Sequence, residues 1–310
     1  MADMDQRFIE ELQAVVGAEH LRLHEPMSRH TTFRVGGPAD VMVLPRRADL
    51  PQVIRLCKKQ EVPYNIFGNG SNLLVGDQGI RGVVIKISKE MDTLSIAEDG
   101  RGAWEITAEA GVSLARAANF AAAQGLGGME FAAGIPGTIG GAVVMNAGAY
   151  GGEMADLIRS VSVLTKDGIQ KELMDGELGF GYRTSCILKE EYLVLAAVLR
   201  LSRKEPTEIQ ARMKEIRQQR TEKQPLTYPS AGSTFKRPQG NFAGKLIEDA
   251  GLAGYQIGGA QVSKKHCGFI VNCGDATAAD IRALIEAVQD KVYREFDIRL
   301  EPEVKMVGEF

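Results

Sequence analysis

Between Gly125 and Gly152 the chain reads GLGGMEFAAGIPGTIGGAVVMNAGAYGG, and no other stretch limits the possible fold as much. Ten of these residues are glycine, none is Lys or Arg, and no charge occurs from Phe131 to Gly152. Glycine lets backbone N–H groups approach a ligand closely and supplies positive-φ turns. A run without a cation can hold phosphate oxygens only through main-chain donors and a helix N-terminus. A tight packing loop has the same composition and stands as an alternative. A membrane segment fits poorly, because glycines, Pro136 and Asn146 interrupt the run and no basic flank orients it.

The rest of the composition is that of an ordinary globular protein. A length of 310 residues suggests about two domains, with full-sized cores. A net charge of -3 argues against nucleic acid as the main partner. The N-terminus MADMDQRFIEE lacks the basic and apolar regions of a secretory signal, and no run reads as a spanning helix. Cys57, Cys186, Cys267 and Cys273 form no CxxC pair and read as reduced thiols of a cytoplasmic protein. The histidines show no metal-ligand spacing, so no metal is expected.

Taken in order, residues 4 to 16 have helical spacing that stops at Gly17. Val41 to Leu44 reads as a strand, Asp49 as the cap of a helix to about Gln60, and YNIF and Val83 to Ile87 as strands. Strands at Thr93–Ala97 and Trp104–Glu109 precede a helix capped by Ser113. After the glycine-rich stretch, Ile158–Thr165 and Ile169–Met174 flank an Asp167-Gly168 turn, a hairpin signal. Tyr192 to Leu201 is a long apolar strand. Thr207 with Gln210 reads as a capping box opening a basic helix that stops before Pro225. Asn241 reads as the cap of a helix ending at Gly251, and Thr277 as the cap of one with a stripe of Ile281, Leu284, Ile285, Val288 and Val292. Ala260–Val262 and Phe269–Asn272 are strand-like. In the last strand Ile298, Leu300, Val304 and Met306 face one way, and Arg299, Glu301, Glu303 and Lys305 the other. Strands with interspersed helices give an α+β class.

A second glycine-rich loop, GNGSNLLV, begins at Gly68. Its third glycine position is Leu73 and no helix follows, which argues against a Rossmann site. Neither loop carries the Gly-Lys-Ser/Thr of a P-loop. Each alone reads more readily as a turn. Together, GNGSNLLV and AAGIPGTIGGAVVMNAGAYGGE resemble an FAD-binding domain of the vanillyl-alcohol-oxidase type. With TTFRVGGPAD, FGYRTS, PSAGSTFKRP and LEPEVKMVG, nearly the whole chain resembles the UDP-N-acetylenolpyruvoylglucosamine reductase (UDP-N-acetylmuramate dehydrogenase) family. Only CILKEEY separates Ser185 from the next strand, which is similar to the subclass lacking a long Tyr-bearing insertion.

The resemblance implies a two-part FAD-binding domain over residues 1–204, with subdomains of about 1–90 and 91–204, and a C-terminal α+β substrate-binding domain over 205–310. It implies FAD bound by Gly68, Asn69, Gly70, Ser71, Asn72 and Leu73 on the first loop. On the second loop it implies Ala133, Gly134, Pro136, Gly137, Thr138 and Gly141, with Arg220 and Lys305 near the flavin or its phosphates. Arg183 in GYRTS matches the residue that binds the substrate carboxylate, for which a planar two-pronged donor is suited. Ser233 in AGSTF matches the proton donor and Glu303 the carboxylate that assists it. Tyr150, Lys236, Arg237 and His266 match substrate-gripping positions, His266 standing where other versions of the family carry Gln.

The implied reaction is NADPH-dependent reduction of the enolpyruvyl double bond of UDP-N-acetylglucosamine enolpyruvate. It belongs to peptidoglycan precursor synthesis, and so to cell wall biogenesis, cell shape, division and the cell cycle. Hydride from the flavin reaches the β carbon, and negative charge spreads from the α carbon into the carboxylate. A fixed cation there favours the transition state, and a positioned hydroxyl then delivers a proton to carbon. The expected protein is a cytoplasmic monomer whose partner is a UDP-sugar. An oxygen-using flavin oxidase on the same fold and a non-catalytic sugar-nucleotide sensor are the alternatives.

Overall fold

The computed structural model describes residues 5–98 and 103–310, and the Met4 start of the first expected helix lies outside them. The chain forms two compact units. One comprises residues up to Arg22, Val41–Asn69 and Gly82–Gln219; the other comprises Leu23–Asp40, Gly70–Arg81 and Arg220–Phe310.

The first unit is built on an antiparallel sheet of six strands. Gln170–Met174, Ile158–Leu164, Leu193–Arg203, Trp104–Glu109 and Leu94–Glu98 lie side by side in that order, and the short strand Leu126–Gly127 pairs with Leu193–Arg203. The hairpin register places Val163 opposite Lys171, as the Asp167-Gly168 turn requires. Val161, Val163, Ala197 and Leu199 are fully buried, with Leu114, Ala117 and Ala121 of helix Leu114–Ala123 in the same core. Ser113 caps that helix as expected, its hydroxyl accepting from Arg116 N–H at 3.2 Å. Strand Tyr64–Phe67 pairs in parallel with Ile80–Lys86, placing Phe67 beside Lys86 where the first glycine-rich loop begins. Helix Gln6–Val16 turns its buried Phe8, Leu12 and Val16 into the same core and stops at Gly17, whose φ is 89°.

The second unit wraps helix Ala278–Phe296. Its stripe of Ile281, Leu284, Ile285, Val288 and Val292 is wholly buried, as the spacing predicts. Thr277 and Asp280 form a reciprocal capping box there. The Asp77 carboxylate adds hydrogen bonds from Ala278 N–H at 2.8 Å and Ala279 N–H at 2.9 Å, so the first turn's orphan donors are satisfied from a segment 201 positions away. Strands Gln256–Ile257, Ala260–Val262 and Ile270–Asn272 form a small antiparallel sheet against the helix, and Lys305–Val307 pairs in parallel with Leu73–Val75.

Three expected caps are corrected. Asp49 stands at the expected N-cap position of Leu50–Lys59, but its side chain makes no capping bond, because the carboxylate accepts from Arg46 N–H at 2.9 Å instead. The basic helix starts at Pro206, a residue suited to the first helical position, so Thr207 lies inside it and the capping box with Gln210 is not formed. Phe242, not Asn241, precedes helix Ala243–Asp249, while Asn241 Nδ2 donates to Gln239 O at 3.2 Å. The last strand is also shorter than its alternation suggests. Lys305–Val307 forms the strand, Pro302 makes an isolated antiparallel bridge to Phe235, and Met306 is exposed although Leu300 and Val304 are buried.

Candidate active site

Within the first unit, the two glycine-rich loops meet at Gly68 and Thr138. The second loop is fastened to residues 110–114: Leu114 N–H donates to Gly137 O at 3.0 Å, Ile139 N–H to Val112 O at 2.8 Å and Gly140 N–H to Ala110 O at 2.9 Å. Buried Thr138 caps the short helix Ile139–Val144, its hydroxyl accepting from Gly141 N–H at 3.4 Å. Ala133, Gly134 and Gly137 are half-buried, and Pro136 is exposed. A β-carbon on Gly68 would press on Thr138 Oγ1, so glycine is dictated there by close approach. Lys86, buried on the adjoining strand, donates from Nζ to Gly68 O. Burial pushes its ammonium down to about 8. Lys86 was not singled out from the sequence, where it is one lysine at the end of an apolar strand.

The GYRTS loop is seated on the end of the same glycine-rich stretch. Gly181 and Thr184 exchange two backbone hydrogen bonds at 3.1 and 3.2 Å, leaving Tyr182 and Arg183 at the tip. Arg183 is in the left-handed region, with φ 55°. Its Nη2 donates to Gly148 O at 3.2 Å, and the guanidinium lies 5.1 Å from the centre of the Tyr182 ring. Fully buried Ser185 donates to Val144 O at 2.8 Å. Asn146, also buried, donates from Nδ2 to Gly181 O at 3.2 Å and accepts on Oδ1 from Ala155 N–H at 2.9 Å. Asn146 is thus one tie between the two segments, beside Arg183 and Ser185, although in the sequence it stands only as an interruption of an apolar run. Tyr150 has φ 53°, and its carbonyl accepts from Arg212 Nη2 at 3.1 Å.

Within the second unit, Thr234 is the junction. This fully buried residue donates its N–H to Gly268 O at 2.8 Å. Its hydroxyl accepts from Ile270 N–H at 3.0 Å, and its carbonyl from Glu303 N–H at 2.8 Å. Ser233, exposed and preceded by Gly232 at φ 78°, and half-buried Glu303 therefore sit on segments joined at one peptide. Asn72 extends the junction, donating from Nδ2 to Glu303 O at 3.1 Å and accepting on its carbonyl from Lys305 N–H at 3.0 Å. Gly70 fits against the His30 carbonyl where no β-carbon has room, and accepts from Thr32 N–H at 3.3 Å. Leu73 pairs with Lys305, and Ser71 is half-buried between the two.

Of the other candidates in this unit, Lys236 is paired with Glu301, and Arg237 lies 4.4 Å over the ring of exposed Phe242. His266 Nδ1 accepts from Gly268 N–H at 3.1 Å, which fixes the remaining proton on Nε2. Burial holds this imidazole below its ordinary value, so it is neutral at pH 7. Arg220 is half-buried near the end of the basic helix.

These features suit a dinucleotide cofactor rather than packing alone. Thr32 Oγ1 is buried without a hydrogen-bond partner among the described residues, an arrangement that costs stability unless an oxygen-rich ligand answers it. In the first unit Gly68, and in the second unit Gly70, is needed as glycine for close approach. In each unit these residues suit an oxygen-rich ligand gripped mainly by main chain.

The comparisons agree with that chemistry. Residues 38–173 match an FAD binding domain family, and residues 224–307 match the family described as UDP-N-acetylenolpyruvoylglucosamine reductase, C-terminal domain. A UDP-N-acetylenolpyruvoylglucosamine reductase of Agathobacter rectalis is 51% identical over 99% of this chain and 100% of its own. The chain belongs to the UDP-N-acetylenolpyruvoylglucosamine reductase family. A protein of the same description from Caldanaerobacter subterraneus is 50% identical, again over 99% of this chain and 100% of its own. The crystal structure of the reductase from Thermus caldophilus superposes with a TM-score of 0.77 at 38% identity, covering 93% of this chain and 98% of that one. A 4-ethylphenol oxidase from Gulosibacter chungangensis, at 18% identity and a TM-score of 0.50 over 66% of this chain, shares the fold alone. The expected α+β class and FAD-binding architecture stand. No helix among the described residues is long and apolar enough to cross a membrane.

Proposed function

We propose that this chain is an FAD-dependent reductase that uses NADPH to reduce the enolpyruvyl double bond of UDP-N-acetylglucosamine enolpyruvate, giving UDP-N-acetylmuramate for peptidoglycan. The observation that carries the reading is the Thr234 junction, which holds Ser233 and Glu303 on adjoining segments in a chain of this family. Bound FAD supplies the two-electron chemistry, accepting from NADPH and giving to the substrate. Gly68 to Leu73 and Ala133 to Gly141 grip it, with Arg220 and Lys305 adding positive charge.

Arg183 binds the substrate carboxylate. Its position at the tip of a two-residue turn, with backbone fixed through Asn146, holds a cation where negative charge grows during reduction. Such an interaction strengthens in the transition state and so raises kcat. Ser233 donates the proton to the α carbon. A free hydroxyl is a weak acid, and Glu303 polarises its hydrogen-bond network. Neutral His266, with Lys236, Arg237 and Tyr150, grips the UDP-sugar. Functionally, residues 1–204 serve the cofactor and 205–310 the substrate, although 23–40 and 70–81 belong to the second compact unit. The protein works as a cytoplasmic monomer, in support of cell wall growth and division.

The purified protein should be yellow and should release FAD on denaturation. It should oxidise NADPH only with the enolpyruvyl substrate present, with UDP-N-acetylmuramate as product. NADPH oxidation that consumes oxygen and ignores the substrate would instead identify a flavin oxidase.

A further inference from the structure

The glycine-rich loops carry no cation, yet the first unit brings one to them from another strand. Lys86 ends strand Ile80–Lys86, in register with Phe67, the residue before the first loop. Two bonds tie that loop's start to this strand end: Ile87 N–H donates to Phe67 O at 2.8 Å, and Lys86 Nζ donates to Gly68 O. No peptide bond in the described chain is cis, so the Gly68 carbonyl and the Asn69 N–H of one planar unit point in opposite directions. Holding the carbonyl therefore also holds the N–H. Gly68 is confined on its other side by Thr138 Oγ1.

The charge is the unexplained part. An ammonium has three donors, and among the described residues Lys86 reaches only the Gly68 carbonyl, with no carboxylate paired to it. A buried charge without an opposite charge is costly, and the protein could have avoided it with any apolar residue at a strand end. An anion that arrives with a ligand would account for it.

We propose that Lys86 is a buried cation of the FAD site, beside the charge that Arg220 and Lys305 bring: its ammonium, fastened to the Gly68 carbonyl, sets the Asn69 N–H as a donor for the cofactor's diphosphate and offsets that group's negative charge. The inference rests on the assignment of the first glycine-rich loop to FAD. It makes Lys86 a positioning and charge-compensating residue, with no part in proton or hydride transfer.

Titration supplies a readout that a purely structural lysine would not give. Burial brings Lys86 down to about 8 in the cofactor-free chain. A diphosphate nearby favours the charged form, so the pKa rises on binding. Linkage then requires full FAD affinity below about pH 8 and weaker binding as pH rises through that value. Competing groups in the same core do not titrate there. Burial pushes the Cys57 thiol up to about 12 and raises Tyr64 on the paired strand above its ordinary value.

The test is FAD binding to cofactor-stripped full-length protein, followed by flavin fluorescence between pH 7 and 9.5, for wild type, Lys86→Met and Lys86→Arg. Thermal unfolding of each stripped protein is measured alongside, with ADP and adenosine as competing probes. Lys86→Met should melt at or above the wild-type temperature, because an uncompensated buried charge has gone. It should bind FAD and ADP about 10- to 100-fold more weakly at pH 7, as expected for one to two pKa units of coupling. Adenosine binding should be unchanged, and the pH dependence lost. Lys86→Arg should bind more tightly than Lys86→Met and show no fall through pH 8. Wild-type affinity and pH dependence in Lys86→Met would overturn the proposal while leaving the FAD loop intact. Equal loss of ADP and adenosine binding, with a lowered melting temperature, would make Lys86 structural. If stripped wild type takes up no FAD at all, the cofactor assignment fails and this inference with it.

Discussion

A β-carbon built on Gly68 would stand 2.5 Å from Thr138 Oγ1, so the two glycine-rich loops touch through a residue pair that tolerates no added atom. The same construction lies 3.6 Å from Thr138 Cβ, an ordinary contact. The conflict is therefore with the hydroxyl alone. Gly68→Ala should cost about 1–3 kcal/mol through overpacking and weaken FAD retention. Thr138→Ala alone should cost about 0.5–2 kcal/mol by removing the cap on Gly141 N–H. In the double variant the clash is absent, so the combined loss should be smaller than the sum. Urea unfolding of the four proteins checks this, and strict additivity would show that the loops are not coupled here.

Asn146 ties the GYRTS loop to the glycine-rich stretch through Nδ2, which donates to Gly181 O, while its Oδ1 holds Ala155 N–H just beyond that stretch. Asn146→Ala leaves Ala155 N–H without its partner and Gly181 O with Thr184 N–H alone, and should cost about 1–3 kcal/mol. Alanine is also poorly suited to the observed φ of 43°. Asn146→Asp is the more specific probe, since a carboxylate cannot donate to Gly181 O. It should destabilise and lower kcat together, because Arg183 is displaced with its turn. A destabilised variant with wild-type kcat would mean that the turn does not position Arg183.

Much of this arrangement was legible locally. Thr277 and its apolar stripe, Ser113 and the Asp167-Gly168 hairpin depend on residues within a turn or two of one another. Both glycine-rich loops were visible too, since glycine demanded by close approach is visible as glycine. The misplaced caps share one cause. Asp49, Thr207 and Asn241 are all residue types able to cap, but Arg46 N–H, Pro206 and Gln239 O respectively take their place or their side chain. The residues that assemble the site were hidden for a different reason. Lys86 acts on Gly68, Asn146 on Gly181 and Thr234 on Glu303, each across a span that no local pattern records. The same holds for the second unit, where Asn72 and Glu303 are 231 positions apart.

Arg183→Lys tests the carboxylate clamp. Lysine retains the charge but offers one point donor instead of a fork, and it cannot donate to Gly148 O and grip a carboxylate in the same geometry. Loss of transition-state stabilisation should lower kcat by about 10²-fold, the lower range for removing one oriented donor. KM should rise as well. Steady-state kinetics at saturating NADPH check this, with a circular dichroism melt to confirm folding. A variant with altered KM and unchanged kcat would restrict Arg183 to ground-state binding.

Ser233 and Thr234 are neighbours with opposite surroundings, and that contrast separates chemistry from structure. Ser233 is exposed on a loop that follows a positive-φ glycine, whereas Thr234 is fully buried and serves four hydrogen bonds. Ser233→Ala should leave folding, FAD content and flavin reduction by NADPH close to wild type. It should slow reoxidation of the reduced flavin by substrate by about 10²–10⁴-fold, since a proton donor to carbon matters only in that half. Thr234→Val keeps the shape but strips the acceptor from Ile270 N–H, so it should cost about 1–3 kcal/mol. Because the Thr234 carbonyl still accepts from Glu303 N–H, the folded fraction should retain most of its activity. Glu303→Gln should resemble Ser233→Ala, slowing the same half-reaction without the stability loss. Anaerobic stopped-flow absorbance of the flavin band, with each half measured separately, distinguishes these patterns. Equal slowing of both halves in Ser233→Ala would make Ser233 a residue that shapes the pocket, and the proton donor would have to be sought elsewhere.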